Sequence, residues 1–370
     1  MYWGGKPACN FRNALSTLES FLEQLYQQQH ITDQVLFGDR RPVHLPAVER
    51  AKHLGIRTHV FEEGYFRPHW ITLEREGTNA RSLLPRDPEW FRKSYNAVPE
   101  PVGVVPFSSP FRTRAVHDVT YHLAGMVNPV VFPAYRTHSP VKAPVEYAAY
   151  IKRFSILQGI RKREHARVRA LIESNIAYYV LPLQLNSDVQ IRENSSFADM
   201  QEVITYVLRS FALHAPVDSK IVIKNHPLDM GLMNYKKIID ECETRFGIVG
   251  RTVYLEDGDL VSLLKHARGL VTVNSTVGMV ALEESCPTLT LSDPLYNIPG
   301  LTSPLKIDDF WRWAEAPDAS FYGVFKQVVM VASQINGGFY CRAGIDLAVK
   351  NSARVLTANQ SPLEQLMDLV

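Results

Sequence analysis

Apolar positions in "FRNALSTLESFLEQLYQQQHI" fall at helical spacing at Leu15, Leu18, Phe21, Leu22 and Leu25, which predicts a helix. The pattern then shortens. "DQVLFGD" reads as a short strand ending in a loop, "LPAVERAKHLGI" as a helix stopped by Gly55, and "RTHVFEEGYFRP" as a strand running into a loop. Strand, helix, strand is the rhythm of a parallel sheet. Residues 85–145 are rich in proline and aromatics and predict irregular structure with short helices. From about 146 to 175 the pattern is helical and basic.

A second rhythm follows. "IAYYVLPLQ", "KIVIKNHP", "RTVYLED", "GLVTVNST" and "PTLTLSD" read as strands. "FADMQEVITYVLRSFALHA", "YKKIIDECETRFG", "DLVSLLKHAR" and "VGMVALEESC" read as the helices between them. The reading predicts a Rossmann-like domain over 1–170, a second over 171–330, and C-terminal helices over 331–370 that pack back on the first. The expected fold class is α/β and GT-B-like, with two Rossmann-like domains facing a central cleft. Many proteins share that layout, so it does not by itself decide function.

Composition narrows the class. The chain has 370 residues, 46% hydrophobic and 21% charged, which is ordinary for a globular protein of two domains. A formal net charge of +2 gives no global bias toward nucleic acid, and none is expected as a partner. Cys9, Cys242, Cys286 and Cys341 form no CxxC or Cys/His pattern, against structural zinc and a disulfide framework. No apolar run approaches the roughly 20 residues that span a bilayer, and "MYWGGKPACNFRN" lacks a hydrophobic signal core. The expected location is the cytoplasm. The basic run Lys152, Arg153, Arg161, Lys162, Arg163, Arg167 and Arg169 is either a solvated helix face or an attraction to an anionic membrane surface.

The candidate chemistry sits where strands end, and in open α/β sheets that is where ligands bind. "IVIKNHPLD" puts Lys224, His226 and Pro227 at such an end; Lys224 is a point cation and His226 a phosphate donor. "VTVNSTVGMVALEE" puts Asn274, Ser275 and Thr276 before a helix, with Gly278 allowing close approach, as an anion site or an ordinary cap. "LPLQLNSDVQ" supplies Gln184, Asn186 and Asp188; the carboxylate is open as base, nucleophile, metal ligand or loop cap. In the first half, "HVFEEGYFRPHWITLE" carries Glu62 and Glu63. Their mutual repulsion raises the pKa of one of them, as suits a general acid or base. "LFGDRRPVH" carries Asp39, Arg40, Arg41 and His44, where arginine suits an anionic ligand. Surface loop charges are the plain alternative for each.

The stretches "LFGDRRPVH", "VFEEGYFRPHWITLE", "LPLQLNSD", "IKNHPLD", "NSTVGMVALE" and "YNIPGLT" resemble, in order, the KpsS/LipB-type capsule polysaccharide β-Kdo transferases. The resemblance implies a GT-B fold, CMP-β-Kdo as donor, and retaining transfer of Kdo onto lysophosphatidylglycerol at the inner membrane. It implies Asp188 as nucleophile, Glu62 as acid/base with Glu63 second, and His226, Lys224, Ser275 and Thr276 on the CMP phosphate. Gln184 would position the sugar. Asp39, Arg40, Arg41, His44 and Arg67 would stand on the acceptor or sugar side. Family members open with a further strand and a Gly-rich loop, and the expectation here is that these are missing. A CMP-sugar carries one phosphate, so neither metal nor cofactor is expected. Other capsule synthesis and export proteins are expected partners. The alternatives are another CMP-nonulosonate donor such as sialate, or a non-catalytic role in capsule assembly or export.

Overall fold

The computed structural model describes residues 9–99, 103–135, 143–185 and 195–370. Among these residues the strands are β1 Asp33–Phe37, β2 Arg57–Glu63, β3 Trp70–Arg75, β4 Tyr178–Pro182, β5 Lys220–Lys224, β6 Thr252–Leu255, β7 Gly269–Thr272, β8 Thr288–Thr290 and β9 Gln334–Asn336. They form two sheets in two compact units. The first unit comprises Met1–Leu83, Pro101–Pro140 and Met330–Asp368; the second comprises Leu84–Glu100, Val141–Val329 and Leu369–Val370.

The first sheet has the order β1-β2-β3-β9. β1 and β2 are parallel and joined by the helix Leu45–Leu54, as the sequence rhythm predicts. Gly55 ends that helix in a left-handed conformation, φ 67°. β3 departs from the prediction, because "WITLER" is a strand running antiparallel to β2. The link between them is too short for a parallel crossover, which needs a dozen or more residues. Gly64 makes the reversal possible: a Cβ there would stand 2.0 Å from the Trp70 carbonyl oxygen. β9 arrives from the C-terminal stretch and pairs antiparallel with β3. The first helix begins at Leu18, and Leu15 lies in a 3-10 turn with 47% of its surface exposed. Tyr26, Ala51 and Ile56 make a small core beneath it.

The second sheet is wholly parallel, with the order β6-β5-β4-β7-β8. In chain order that is 3-2-1-4-5, the Rossmann-type arrangement, and the order reverses between β4 and β7. Both faces are buried, which is why the strands read as continuous apolar runs. Ile221 and Ile223 face the helix Met200–His214 and the edge-to-face rings of Tyr179, Phe211, Phe310 and Trp311. Val222 faces the other way, toward Val168, Leu171 and Leu263. Val168 and Leu171 belong to one 31-residue helix, Ala143–Glu173. The expected boundary at residue 170 therefore falls inside a helix whose apolar stripe packs in the second unit.

The stretch expected to be irregular with short helices holds the helices Pro88–Ala97 and Phe111–Gly125. The first starts where Asp87 accepts a hydrogen bond from the Glu89 amide and Pro88 occupies the first turn.

Candidate functional site

Parallel register brings three predicted loops to one level. Pro182 lies opposite Lys224, and Val180 opposite Leu270, which puts Thr272 level with Pro182. Gln184, His226 and Asn274 thus each stand two residues past an aligned strand end. β4 is the central strand of the three, and its junction with β7 is the topological switch point, where open α/β sheets bind ligands.

The loops brace one another. Gln184 Nε2 donates to Asn274 Oδ1 at 3.0 Å, and the Asn274 amide donates back to Gln184 Oε1 at 3.3 Å. Gln184 is buried and spends most of its amide on this tie, so it acts as a brace across the switch point. The Asn225 side chain closes the next loop. Its Oδ1 accepts from the His226 amide at 2.8 Å, and its Nδ2 donates to Asp229 Oδ2 at 3.2 Å and Glu256 Oε2 at 3.1 Å. Glu256 is in turn held by Arg153 at 2.5 Å.

His226 Nδ1 accepts from the Leu228 amide at 3.1 Å. That bond fixes the neutral ring with its proton on Nε2, so the imidazole presents a donor, the form an anionic oxygen requires. Pro227 is exposed at the tip. Lys224 is buried on the face of the sheet that carries Val222. Its ammonium makes no hydrogen bond or close ion pair among the described residues. Burial pulls its pKa down, against the charges of Asp257 and Asp259.

Ser275 and Thr276 follow Asn274 into the helix Val277–Glu283, with Ser275 Oγ accepting from the Val277 amide at 3.2 Å. Gly278 does allow a close approach, but of a side chain of this same unit: Tyr296 Oη, which donates to the Ser275 carbonyl at 2.5 Å, would be 2.2 Å from a Cβ. Tyr296 comes from "YNIPGLT", and sequence reading had no role for it. Asp188 and Asn186 lie outside the described residues.

A separate polar cluster lies in the first unit at the ends of β1 and β2. Burial raises the pKa of Glu62, with the charges of Glu63 and Asp39 adding to it; the Glu63 amide and Arg41 oppose the rise. Burial likewise raises Asp39, against its own amide, Arg81 and Arg40. Arg81 approaches Asp39 at 3.9 Å. Arg41 lies over the Phe37 ring at 5.3 Å. His44 donates from Nδ1 to the Gly38 carbonyl at 2.7 Å and precedes the helix Leu45–Leu54. Arg40 is half-buried, while Arg67 is exposed and donates to the Gly64 carbonyl at 3.3 Å. Tyr340 donates to Glu63 Oε1 at 2.6 Å, a contact from the far end of the chain that local patterning does not reveal.

The basic run is less free than its sequence suggests. Arg153 is buried against Glu256, Arg161 pairs with Asp257 at 3.2 Å, and Arg163 and Arg167 meet Glu164 at 3.6 and 3.0 Å. Lys152, Lys162 and Arg169 remain exposed. Among the described residues no helix is long and apolar enough to cross a membrane.

The architecture defines a two-unit α/β protein whose Rossmann-like unit presents three braced polar strand ends at its switch point. The chain belongs to the capsule polysaccharide biosynthesis protein family, whose family model matches residues 32–340. It is 35% identical over 344 residues to the capsule polysaccharide export protein KpsS of Escherichia coli, covering 91% of this chain and 88% of that one. It is 33% identical over 343 residues to the capsule polysaccharide modification protein LipB of Neisseria meningitidis serogroup B, covering 89% and 80%. Among solved structures it is similar to the Thermosulfurimonas dismutans KpsC beta Kdo 2,7 transferase, with TM-score 0.40, 13% identity and coverage of 82% and 78%.

Proposed function

We propose that this chain is a glycosyltransferase of capsule polysaccharide linker synthesis, moving β-Kdo from CMP-β-Kdo to a lysophosphatidylglycerol acceptor with retention. Membership of the capsule polysaccharide biosynthesis family supports the process. The observation that carries the donor reading is the level set of Gln184, His226 and Asn274 at the switch point, with His226 fixed as an Nε2 donor. A nucleoside monophosphate sugar presents one phosphate, and its departure calls for donors and cations more than a proton. In this reading His226, Ser275 and Thr276 meet the phosphate oxygens, and Lys224 lends its charge from below.

The reaction runs in two displacements. The Asp188 carboxylate attacks the anomeric carbon, and the carbon–oxygen bond to phosphate breaks as CMP leaves with the electron pair. The acceptor oxygen then attacks the same carbon, the bond to Asp188 breaks, and the hydroxyl proton passes to Glu62. Two inversions give retention. Burial raises the pKa of the Glu62 carboxyl, the direction that suits a group exchanging a proton, and this supports Glu62 in that role. The acceptor is a lipid, so the protein works peripherally at the membrane. Exposed Lys152, Lys162 and Arg169 and the exposed apolar Val116, Leu123, Met126 and Val130 support this.

The test is mass spectrometry of a synthetic lysophosphatidylglycerol acceptor incubated with the protein and CMP-Kdo generated in situ. A mass increase of one or more Kdo units is expected. No increase with CMP-Kdo, or an increase with CMP-sialate alone, would overturn the donor assignment.

A further inference from the structure

We propose that Arg153 is a positioning residue for the His226 loop: its guanidinium holds Glu256, and through Glu256 and Asn225 it sets where the imidazole points. The use of that imidazole on a CMP phosphate rests on the function proposed above; the aim of the ring does not.

The contacts start on the helix Ala143–Glu173. Arg153 and Glu164 stand about three turns apart on it and share a buried face with Val168 and Leu171. Both polar residues of that face meet Glu256. Arg153 forms an ion pair with Glu256 Oε2 at 2.5 Å, and Glu164 Oε2 accepts the Glu256 amide at 3.0 Å. Tyr254 gives Glu256 a further hydrogen bond, but Arg153 is its only close cation among the described residues. The Arg153 stem also runs beside the far end of the loop, where a Cβ on Gly231 would stand 3.6 Å from Arg153 Cδ.

The need for a cation follows from the Asn225 carboxamide. Its Nδ2 has two protons and gives them to two carboxylates, Glu256 Oε2 at 3.1 Å and Asp229 Oδ2 at 3.2 Å. That leaves Oδ1 facing the His226 amide at 2.8 Å, so the orientation of the carboxamide places the residue that follows it. Asp229 Oδ2 also accepts the Gly231 amide at 2.9 Å, and the Asp229 amide donates to the His226 carbonyl at 3.0 Å, closing the loop on itself. Asn225 and Asp229 are buried, so water offsets little of the repulsion between two carboxylates drawn to one nitrogen. Arg153 supplies the opposing charge, on the same Glu256 oxygen that Asn225 uses. Without that charge Glu256, which is partly exposed, turns toward water, and Asn225 loses one of the two partners that orient it.

Two measurements test this without turnover: calorimetry with CMP, and histidine-ring 15N NMR of the CMP-free protein at a pH where the ring is neutral. In the wild type the His226 ring, assigned by its loss in His226→Ala, should show one tautomer with the proton on Nε2. Arg153→Met keeps the stem against Gly231 and removes the charge. It should move the ring toward a mixture of tautomers and weaken CMP about 5- to 10-fold, within what loss of the imidazole itself costs. In a His226→Ala background the same substitution should change CMP affinity by less than about twofold, because its effect passes through the ring. Glu256→Gln, which breaks the ion pair from the other side, should match Arg153→Met. A folded Arg153→Met with wild-type ring shifts, or with wild-type CMP affinity, overturns the proposal. So does an equal loss of affinity in the His226→Ala background, which would mark a merely structural role. Should Arg153→Met not fold, unchanged ring shifts in Glu256→Gln overturn it. A wild type that binds no CMP would sink the donor reading, and the ring shifts would then decide the positioning alone.

Discussion

Gly278→Ala tests whether the Asn274–Thr276 turn is seated by Tyr296. A Cβ at 278 would lie 2.2 Å from Tyr296 Oη, 2.3 Å from Cζ and 2.5 Å from Cε2. The ring is 2% exposed and has little room to move. Alanine in a helix is worth about 0.5–1 kcal/mol over glycine, which favours the variant. Overpacking a core costs about 1–3 kcal/mol, and losing the bond from Tyr296 to the Ser275 carbonyl costs about 1 kcal/mol more. The penalties win, and the variant should lose about 2 kcal/mol. Urea unfolding followed by circular dichroism measures this in Gly278→Ala, Tyr296→Leu and the double variant. The double variant should lose less than the sum of the singles by about 2–3 kcal/mol, because the clash is gone and the bond from Tyr296 is lost only once. Strict additivity, or a Gly278→Ala protein as stable as the wild type, would refute the reasoning.

Two further outcomes follow from the same geometry. Arg153→Met removes the partner of Glu256 and should cost about 2–3 kcal/mol in urea unfolding, below the full penalty for a buried charge because Glu256 is 28% exposed. Asp33 is pushed up by burial, but hydrogen bonds from His59, Thr32 and Arg57 and the Arg57 charge outweigh this and hold its carboxyl down to about 2, against an ordinary 3.8. A depressed folded pKa gives stability that is present above pH 3.8 and lost as pH falls through about 2. The stability gap between wild type and Asp33→Asn should therefore be widest near neutrality and close by about pH 2 on acid titration of the unfolding midpoint.

The parallel sheet of the second unit was legible because its strands are buried on both faces. "IVI" and "GLVT" are continuous apolar runs bounded by turn residues, a signal that survives without neighbours. β3 was not legible. Its Thr72 and Glu74 are polar yet buried, because Gln334, Tyr65 and Ser82 satisfy them. β9 is three residues long and finds its partner near position 71, a pairing no local window contains. The site divides the same way. His226 and Asn274 could be read as strand ends, and parallel register then aligned them. The tie between Gln184 and Asn274, the support of Ser275 by Tyr296, and the contact of Tyr340 with Glu63 are long-range side-chain bonds with no periodicity to betray them. Arg153 misled in the opposite sense, since a cation in a basic run looks solvated until its acid partner is seen.

The donor reading stands on the His226 ring, whose Nδ1 is occupied by the Leu228 amide and whose Nε2 carries the proton. The most direct measurement is calorimetric titration of CMP into the wild type and into His226→Ala. A hydrogen bond to a charged group is worth about 1.5–3 kcal/mol, so the variant should bind CMP about 10- to 100-fold more weakly while its unfolding midpoint changes little. CMP affinity equal in the two proteins, or no CMP binding by the wild type, would contradict the account.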